Sequence, residues 1–547
     1  MTPKTSSWLV PGILIALYAV VRTQGLTALP IFSDEAIYIH WAQIINSQPA
    51  EFLISKVDGK QPLFFWLNAV TLNFFADPLL AGRSVSLVAG GASVVGIFLI
   101  GRILFSTASG FMAGLIYIFC PYMFFFDRLA LVDGLLSALG IWAFLVSLYL
   151  ALELKSPQIG FRWLGILLGL ALLTKATALL LFPVMLAVLY LWDVHRRPEF
   201  WKHLATAGFI ILAINLVAFL GGPGIGVQGR VPFIHQPDYF ISPAELMSFP
   251  WWLWLRNAWV IRDFYVSYLT VPVVMILLAG IVYFIRERDP KEMALWLWFV
   301  LPTGVIVVVA NGFFSRYMVM MVPPLLLLTA RTLERLAAWL AQTLTSRWHW
   351  QVPDGKRNTL LAILLIFTLL PSGMFDWKLM REPHTAPLNK LDRILYIEGA
   401  NSGYGVRAAA EFLRQEAHVF QEKKGYAMPL LVATSPGNPA EGVLVYLWND
   451  PAILKVPAHW WPQTRNLIPK ENRFSLRPSI YQSTPAIRRE AHLLDHARFI
   501  YPHTKIPQET FLRDNPKFKK VWSLIKPDPK YSIDIFKNHQ PLRKPGP

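Results

Sequence analysis

Leu164-Gly-Ile-Leu-Leu-Gly-Leu-Ala-Leu-Leu-Thr-Lys175-Ala-Thr-Ala-Leu-Leu-Leu-Phe-Pro-Val-Met-Leu-Ala-Val-Leu-Tyr-Leu191 is an apolar run broken by a single charge. A helix crossing a bilayer needs about 20 apolar residues. The run is too long for one span and leaves no room for an ordinary loop between two. It reads as two spans that turn at Lys175 on one face of a membrane. A buried lysine there costs about 2.5–3.5 kcal/mol on insertion scales unless it meets a polar cavity or an anion. The bland alternative is a side chain snorkelling to the headgroups.

The rest of the chain follows the same pattern. Of its 547 residues, 54% are hydrophobic and 16% charged, against about 25% charged in ordinary soluble domains. About eleven spans are expected: 8–23, 79–101, 107–125, 133–152, 161–174, 176–192, 203–220, 267–285, 292–310, 317–338 and 359–373. The fold class is thus a polytopic α-helical membrane protein. The net charge of +17 is spread over many short loops, so it reads as a topology signal rather than a nucleic-acid surface. The single Cys120 rules out an intrachain disulfide.

Placing the N-terminus in the cytoplasm puts 1–7, 102–106, 153–160, 193–202, 286–291 and 339–358 inside. Each of these carries Lys or Arg, as the positive-inside rule asks. Lys4 ahead of a compact apolar core also resembles a cleaved signal peptide, a reading this topology argues against. Residues 24–78, 126–132, 221–266, 311–316 and the tail beyond about 374 then face outward. The segment 61–76 must not span; its apolar face suits a helix lying in the interface.

The outward segments hold the chemistry. Phe32-Ser-Asp34-Glu35-Ala-Ile-Tyr-Ile-His40-Trp41 places two adjacent carboxylates at a polar break. A solvated helix start capped by Ser33 is the plain reading. Lys60, Arg83, Asp127, Arg128, Asp133, Lys175, Arg256, Arg262, Asp263, Arg316 and Tyr317 also lie at outward span borders. Acids and bases gathered at a membrane surface suit an anionic lipid-linked substrate, with bases on a phosphate and a carboxylate taking a proton. Gly221–Gly226 reads as irregular backbone. The tryptophans of Phe249-Pro-Trp-Trp-Leu-Trp254 suit anchoring at the headgroups first, with stacking on sugar rings as the alternative.

Beyond 375 no run can span. Residues 376–547 carry about ten of the seventeen excess positive charges. Arg407–Ala417 has helical periodicity, Leu430–Thr434 reads as a buried strand, and Ser435-Pro-Gly-Asn438 as a turn. These elements suggest a small extracytoplasmic α/β domain over 376–547, after a membrane domain over 1–375. Lys517–Pro547 is rich in lysine and proline and is expected to be partly unstructured.

These residues carry a resemblance. The chain is similar to the GT-C glycosyltransferases that use polyprenyl-phosphate sugars, which include protein O-mannosyltransferases, lipid A aminoarabinose transferases and rhizobial lipopolysaccharide glycosyltransferases. The matching elements are Asp34-Glu35, Lys60-Gln-Pro-Leu-Phe-Phe-Trp66, Gly82-Arg83-Ser84, Arg128-Leu-Ala-Leu-Val-Asp133, Leu173-Thr-Lys175 and Arg316-Tyr317 ahead of Pro323-Pro324. Gln61 departs from the family, which usually has a second proline there. The resemblance runs from about 8 to 338.

It implies inverting transfer of one sugar from a polyprenyl-phosphate carrier to a lipid, glycan or protein acceptor outside the cell membrane, as in cell-envelope glycosylation. Asp34 would be the general base, with Glu35 and Asp133 as the other acids of the site. Lys60, Arg83, Arg128, Lys175, Arg316 and Tyr317 would hold the donor phosphate. No cofactor is certain; a divalent metal is left open, since His40 lies near the carboxylates but no ligand spacing demands one. The rival readings are a polyprenyl-linked sugar transporter or flippase, which lacks matching halves here, and a non-catalytic membrane protein of the same fold.

Overall fold

A computed structural model describes residues 9–220, 239–348, 354–432, 438–457, 497–500, 512–513, 516 and 518–538. The glycine-rich stretch 221–226 and residues 435–437 of the expected turn lie outside them.

Most of the expected spans fall on single helices; 107–125 is divided between two at Cys120. In chain order the helices are α1 (Leu9–Thr23), α2 (Ser33–Ser47), α3 (Leu63–Thr71), α4 (Pro78–Leu104), α5 (Thr107–Phe119), α6 (Pro121–Phe126), α7 (Val132–Ala151) and α8 (Pro157–Thr174). Next come α9 (Leu181–Leu191), α10 (Phe200–Leu220), α11 (Pro243–Met247), α12 (Trp251–Leu269), α13 (Val271–Glu287), α14 (Pro290–Val309), α15 (Val322–Trp348) and α16 (Asp354–Arg381). Among the described residues, α4, α7, α8, α14 and α16 are long and apolar enough to cross a membrane. Leu9–Thr23, Thr107–Phe119, Ala176–Leu191 and Phe200–Leu216 are shorter apolar helices.

Several boundaries have visible causes. Asp77 accepts a hydrogen bond from the Leu79 amide and Asp289 from that of Lys291, each ahead of a proline that starts a helix. Lys175 leaves α8 in extended backbone and the chain re-enters a 3₁₀ turn at Ala176. The break between the two helical segments is therefore one residue long, at the charge that interrupts the apolar run. At nine residues α3 is too short to span. The expected span 267–285 begins instead at α13, because the chain bends by 116° between α12 and α13. Thr270 carries that bend at φ +68°.

The helices pack closely where small residues meet. A Cβ on Gly110 would lie 2.4 Å from the Phe98 carbonyl oxygen, so only glycine lets α5 approach α4 there. At the expected cytoplasmic ends, Glu292 of α14 pairs with Arg335 of α15 at 2.7 Å.

After α16 the chain forms α17 (Lys390–Arg393), a π-helical turn over Ile394–Glu398, α18 (Val406–Lys424) and α19 (Ala440–Leu447). A five-stranded sheet accompanies them: β1 (Met428–Val432), β2 (Ile453–Pro457), β3 (Arg498–Ile500), β4 (Phe518–Ile525) and β5 (Ser532–Asn538), in the order β2-β1-β3-β5-β4. β1 is parallel to β2 and β3, while β5 is antiparallel to β3 and β4. α18 buries Val406, Ala409, Ala410, Leu413, Ala417 and Phe420, a stripe at helical spacing. The expectation of a partly unstructured end is corrected over 518–538, which pairs as the β4–β5 hairpin. Its inner strand β5 buries Ile533, Ile535 and Phe536, and this outweighs the basic composition.

Candidate active site

The two carboxylates at the start of α2 have different surroundings. Successive residues on a helix do not share a face, so Asp34 and Glu35 diverge. Glu35 is fully buried. Its oxygens accept from Arg83 Nε at 2.8 Å and Nη2 at 2.7 Å, from the Ala130 amide at 2.7 Å and from the Phe32 amide at 2.9 Å. The remaining Arg83 donors go to the carbonyls of Leu26, Leu29 and Pro30. A guanidinium has five N–H groups, and all five are used. This corrects two expectations: Arg83 has no donor left for a phosphate, and Glu35 has no acceptor face open to a substrate. Together they staple α2, α4 and the turn before α7.

Arg128 is turned inward as well. It is buried, donates to the carbonyls of Arg22 at 2.9 Å and Gly25 at 2.8 Å, and lies over the Phe124 ring. It secures the end of α1. Asp127 faces Arg22 at 3.7 Å in the same interior, while Arg262 and Asp263 pair with each other at the surface. The expected Ser33 cap is absent too: Phe32 holds the N-cap position and the Ser33 hydroxyl accepts from the Asn438 amide.

Asp34 keeps a 21% exposed side chain and pairs with Arg316 at 2.7 Å. Asp133, at the start of α7, accepts from Lys175 at 2.6 Å. Tyr317 joins the two pairs, its ring 4.0 Å from Lys175 Nζ and 5.7 Å from the Arg316 guanidinium. Arg316 and Tyr317 sit on a 3₁₀ turn over Ser315–Met321 that leads into α15. Five of the residues expected at the site thus converge: Asp34, Asp133, Lys175, Arg316 and Tyr317. Lys60 lies beside them, its ammonium over the rings of Tyr38 at 5.4 Å and Trp41 at 5.6 Å. Gln61 accepts from Lys56 at 3.0 Å, a bond no proline could make.

One detail of Arg316 bears on ligands. It is 9% exposed, and its buried Nη1 has no hydrogen-bond partner among the described residues. A buried guanidinium with a free edge beside a carboxylate is suited to an anion. Sequence reasoning missed three tyrosines around this point. Tyr38 lies one helical turn after Asp34; burial pushes its hydroxyl well above the ordinary range and Asp34 adds to the shift, so it stays a neutral donor. The Tyr239 hydroxyl is raised by burial and lies within electrostatic reach of Tyr317, Arg316, Asp34 and Lys60. Tyr396 packs on Phe32 at 4.3 Å. Only the i, i+4 spacing of Tyr38 was available as a signal, since the other two arrive from remote segments.

Among the described residues no three His, Cys, Asp or Glu side chains are grouped to hold a metal. His40 is turned to Glu441 at 3.2 Å and to Trp448.

The family model described as dolichyl-phosphate-mannose-protein mannosyltransferase matches residues 59–220. The chain is similar to an undecaprenyl phosphate-α-4-amino-4-deoxy-L-arabinose arabinosyl transferase of Pseudomonas fluorescens, with 24% identity over 395 residues, 68% of this chain and 64% of that protein. It is similar as well to the enzyme of that name from Aeromonas salmonicida, with 27% identity over 43% of this chain and 42% of that one. The matches therefore span less than two thirds of these relatives' lengths. In fold it resembles ArnT from Cupriavidus metallidurans bound to undecaprenyl phosphate, with a TM-score of 0.57, 15% identity and coverage of 99% and 100% of the two chains.

Proposed function

We propose that this protein transfers one sugar, of the pentose class, from a polyprenyl-phosphate carrier to an acceptor hydroxyl or amine outside the membrane, with inversion at the anomeric carbon. The observation that carries this reading is the Asp34–Arg316 pair, a part-exposed carboxylate on a buried guanidinium with one edge unpartnered. The names of the curated relatives and the undecaprenyl phosphate bound in the ArnT structure support the donor class.

The residues divide the work. The donor phosphate docks against Arg316 toward its unpartnered Nη1, with Lys175, Tyr317 and Lys60 around it. Asp34 takes the proton from the acceptor as the acceptor atom bonds to the anomeric carbon. The bond from that carbon to the phosphate oxygen breaks, and its electron pair leaves on the polyprenyl phosphate. Fixed positive charge at the leaving oxygen stabilises the transition state without reorganisation. Docking at the membrane surface supplies proximity. Arg316 contacts both the base and the phosphate site, so the phosphate draws on the cation that otherwise holds Asp34.

The assay is radiolabelled undecaprenyl-phosphate pentose in proteoliposomes. Transfer to an added lipid or glycan acceptor is the expected result. Movement of label across the bilayer without transfer, or binding alone, would replace this reading with a transporter or a non-catalytic binder.

Asp133 and Lys175 make a testable pair. Asp133 is 3% exposed, so Lys175→Met leaves a buried carboxylate unpaired, a change that costs about 3–5 kcal/mol. Lys175→Met alone is expected to lose both stability and affinity for undecaprenyl phosphate. Lys175→Met with Asp133→Leu should recover the melting temperature but not the affinity. Recovery of both would reduce Lys175 to a structural partner.

Residues 24–78 and the tail from 376 are proposed to lie outside, with the N-terminus in the cytoplasm, because every segment then expected inside carries positive charge. Cysteines at the exposed Ser47 and Lys423, in a Cys120→Ala background, should react with an impermeant thiol reagent in intact cells. Reaction only after lysis would reverse the orientation.

A further inference from the structure

The segment after α16 enters the membrane domain directly beneath the site. Asp392 of α17 is 1% exposed. Its Oδ1 accepts from the Ser315 hydroxyl at 2.7 Å and its Oδ2 from the Tyr268 hydroxyl at 2.6 Å. Tyr268 in turn receives the Asn389 amide at 3.3 Å. Ser315 is the residue before Arg316, and its carbonyl is held separately by the Tyr122 hydroxyl at 2.7 Å. The backbone leading into Arg316 is therefore gripped at two points, one of them a carboxylate from the C-terminal part of the chain. Burial pushes the Asp392 carboxyl up, while the bonds from Tyr268 and Ser315 act in the opposite direction.

The other half of the ion pair is gripped from the same side. The Ser33 amide, next to Asp34, donates to the Asn401 carbonyl at 3.1 Å, and the Ser33 hydroxyl receives the Asn438 amide at 3.1 Å. Asn438 Nδ2 also donates to the carbonyls of Ile31 and Asn401. Further along α2, Gln43 donates to the Val445 carbonyl at 2.9 Å. A carboxylate and a guanidinium must hold their relative geometry within a fraction of an ångström to serve as a preorganised site. Neither α2 nor the Ser315 turn is long enough to do so unaided.

We infer that Asp392 is a positioning residue for anion binding: through Ser315 it fixes the Arg316 guanidinium, so that the C-terminal region completes a site made by the membrane helices. The inference rests on the reading of Arg316 as a phosphate ligand. Asp392 touches no reacting group; it acts by location. Asparagine in its place offers one acceptor oxygen and an NH₂ group that donates, so the two hydroxyls cannot both be received as before.

The test uses the purified full-length protein and undecaprenyl phosphate, measuring Kd and melting temperature side by side. Asp392→Asn and Ser315→Ala should each weaken binding about tenfold, the scale of one lost hydrogen bond that orients a charged group. Ser315→Thr, which keeps the hydroxyl, should bind as the parent does. In Arg316→Met backgrounds neither change should weaken binding further, because residues acting in one chain are not additive. A fall in melting temperature with Kd unchanged in both Asp392→Asn and Ser315→Ala would make the contact purely structural and overturn the inference. So would full additivity with Arg316→Met, which would leave the phosphate reading of Arg316 standing. Unchanged binding in Arg316→Met alone would remove that reading, and the inference with it.

Discussion

Asp34→Asn lowers turnover by about 10²–10⁴-fold, the span usual for loss of a general base. Asparagine keeps the shape and one acceptor oxygen but cannot take the acceptor's proton. The structure sharpens this expectation in two ways. Asp34 is the carboxylate of the pair that retains exposure, whereas Glu35 is fully committed to Arg83 and backbone amides. Asp34 is also the partner of Arg316, so its neutralisation leaves that guanidinium free for the phosphate. Affinity for undecaprenyl phosphate should therefore hold or improve while kcat falls, the pattern of an interaction made in the transition state. Transfer and binding measured on one preparation decide it. Near-parental kcat in Asp34→Asn would move the role of base to Asp133.

The largest effect on stability is expected from Arg83→Met. It strands Glu35 without its cation in a fully buried position, and breaking a buried pair from one side costs about 3–5 kcal/mol. It also removes the donors to the carbonyls of Leu26, Leu29 and Pro30, which shape the loop ahead of α2. The melting temperature in detergent should fall sharply. Adding Glu35→Gln should restore part of it, since an amide is less costly to bury than a charge. Should Arg83→Met melt like the parent and lose only affinity for undecaprenyl phosphate, Arg83 would return to the phosphate site.

The contrast between Arg83 and Arg316 shows what a sequence can convey. Both arginines stand at outward span borders, and both fall in segments similar to the family's motifs. Nothing local distinguishes them. Arg83 meets five acceptors because the loop 26–30 folds back over α4. Arg316 keeps an unpartnered nitrogen because, among the described residues, Asp34 alone forms an ion pair with it. Arg128 is also turned inward, with two of its donors on carbonyls at the end of α1.

The chain's own pattern determined the membrane class, the positions of most apolar helices and the one-residue helix break at Lys175. These depend on hydrocarbon length and on the cost of burying charge, both of which act residue by residue along the chain. It also pointed to Asp34, Asp133, Lys175 and Arg316, because charge at a span border is costly wherever it lies, and to Tyr317 through the Arg316-Tyr317 motif. Tertiary structure alone decided which charges gather in the outer cluster and which are spent inside the protein. It brought Tyr239, Tyr396 and Asp392 to the site, and paired strand β5 within a stretch whose composition suggested disorder. The physical reason is that a hydrogen-bonding group is defined by its partners, and partners such as Ser315 and Asp392 or Ser33 and Asn438 meet only when distant segments pack.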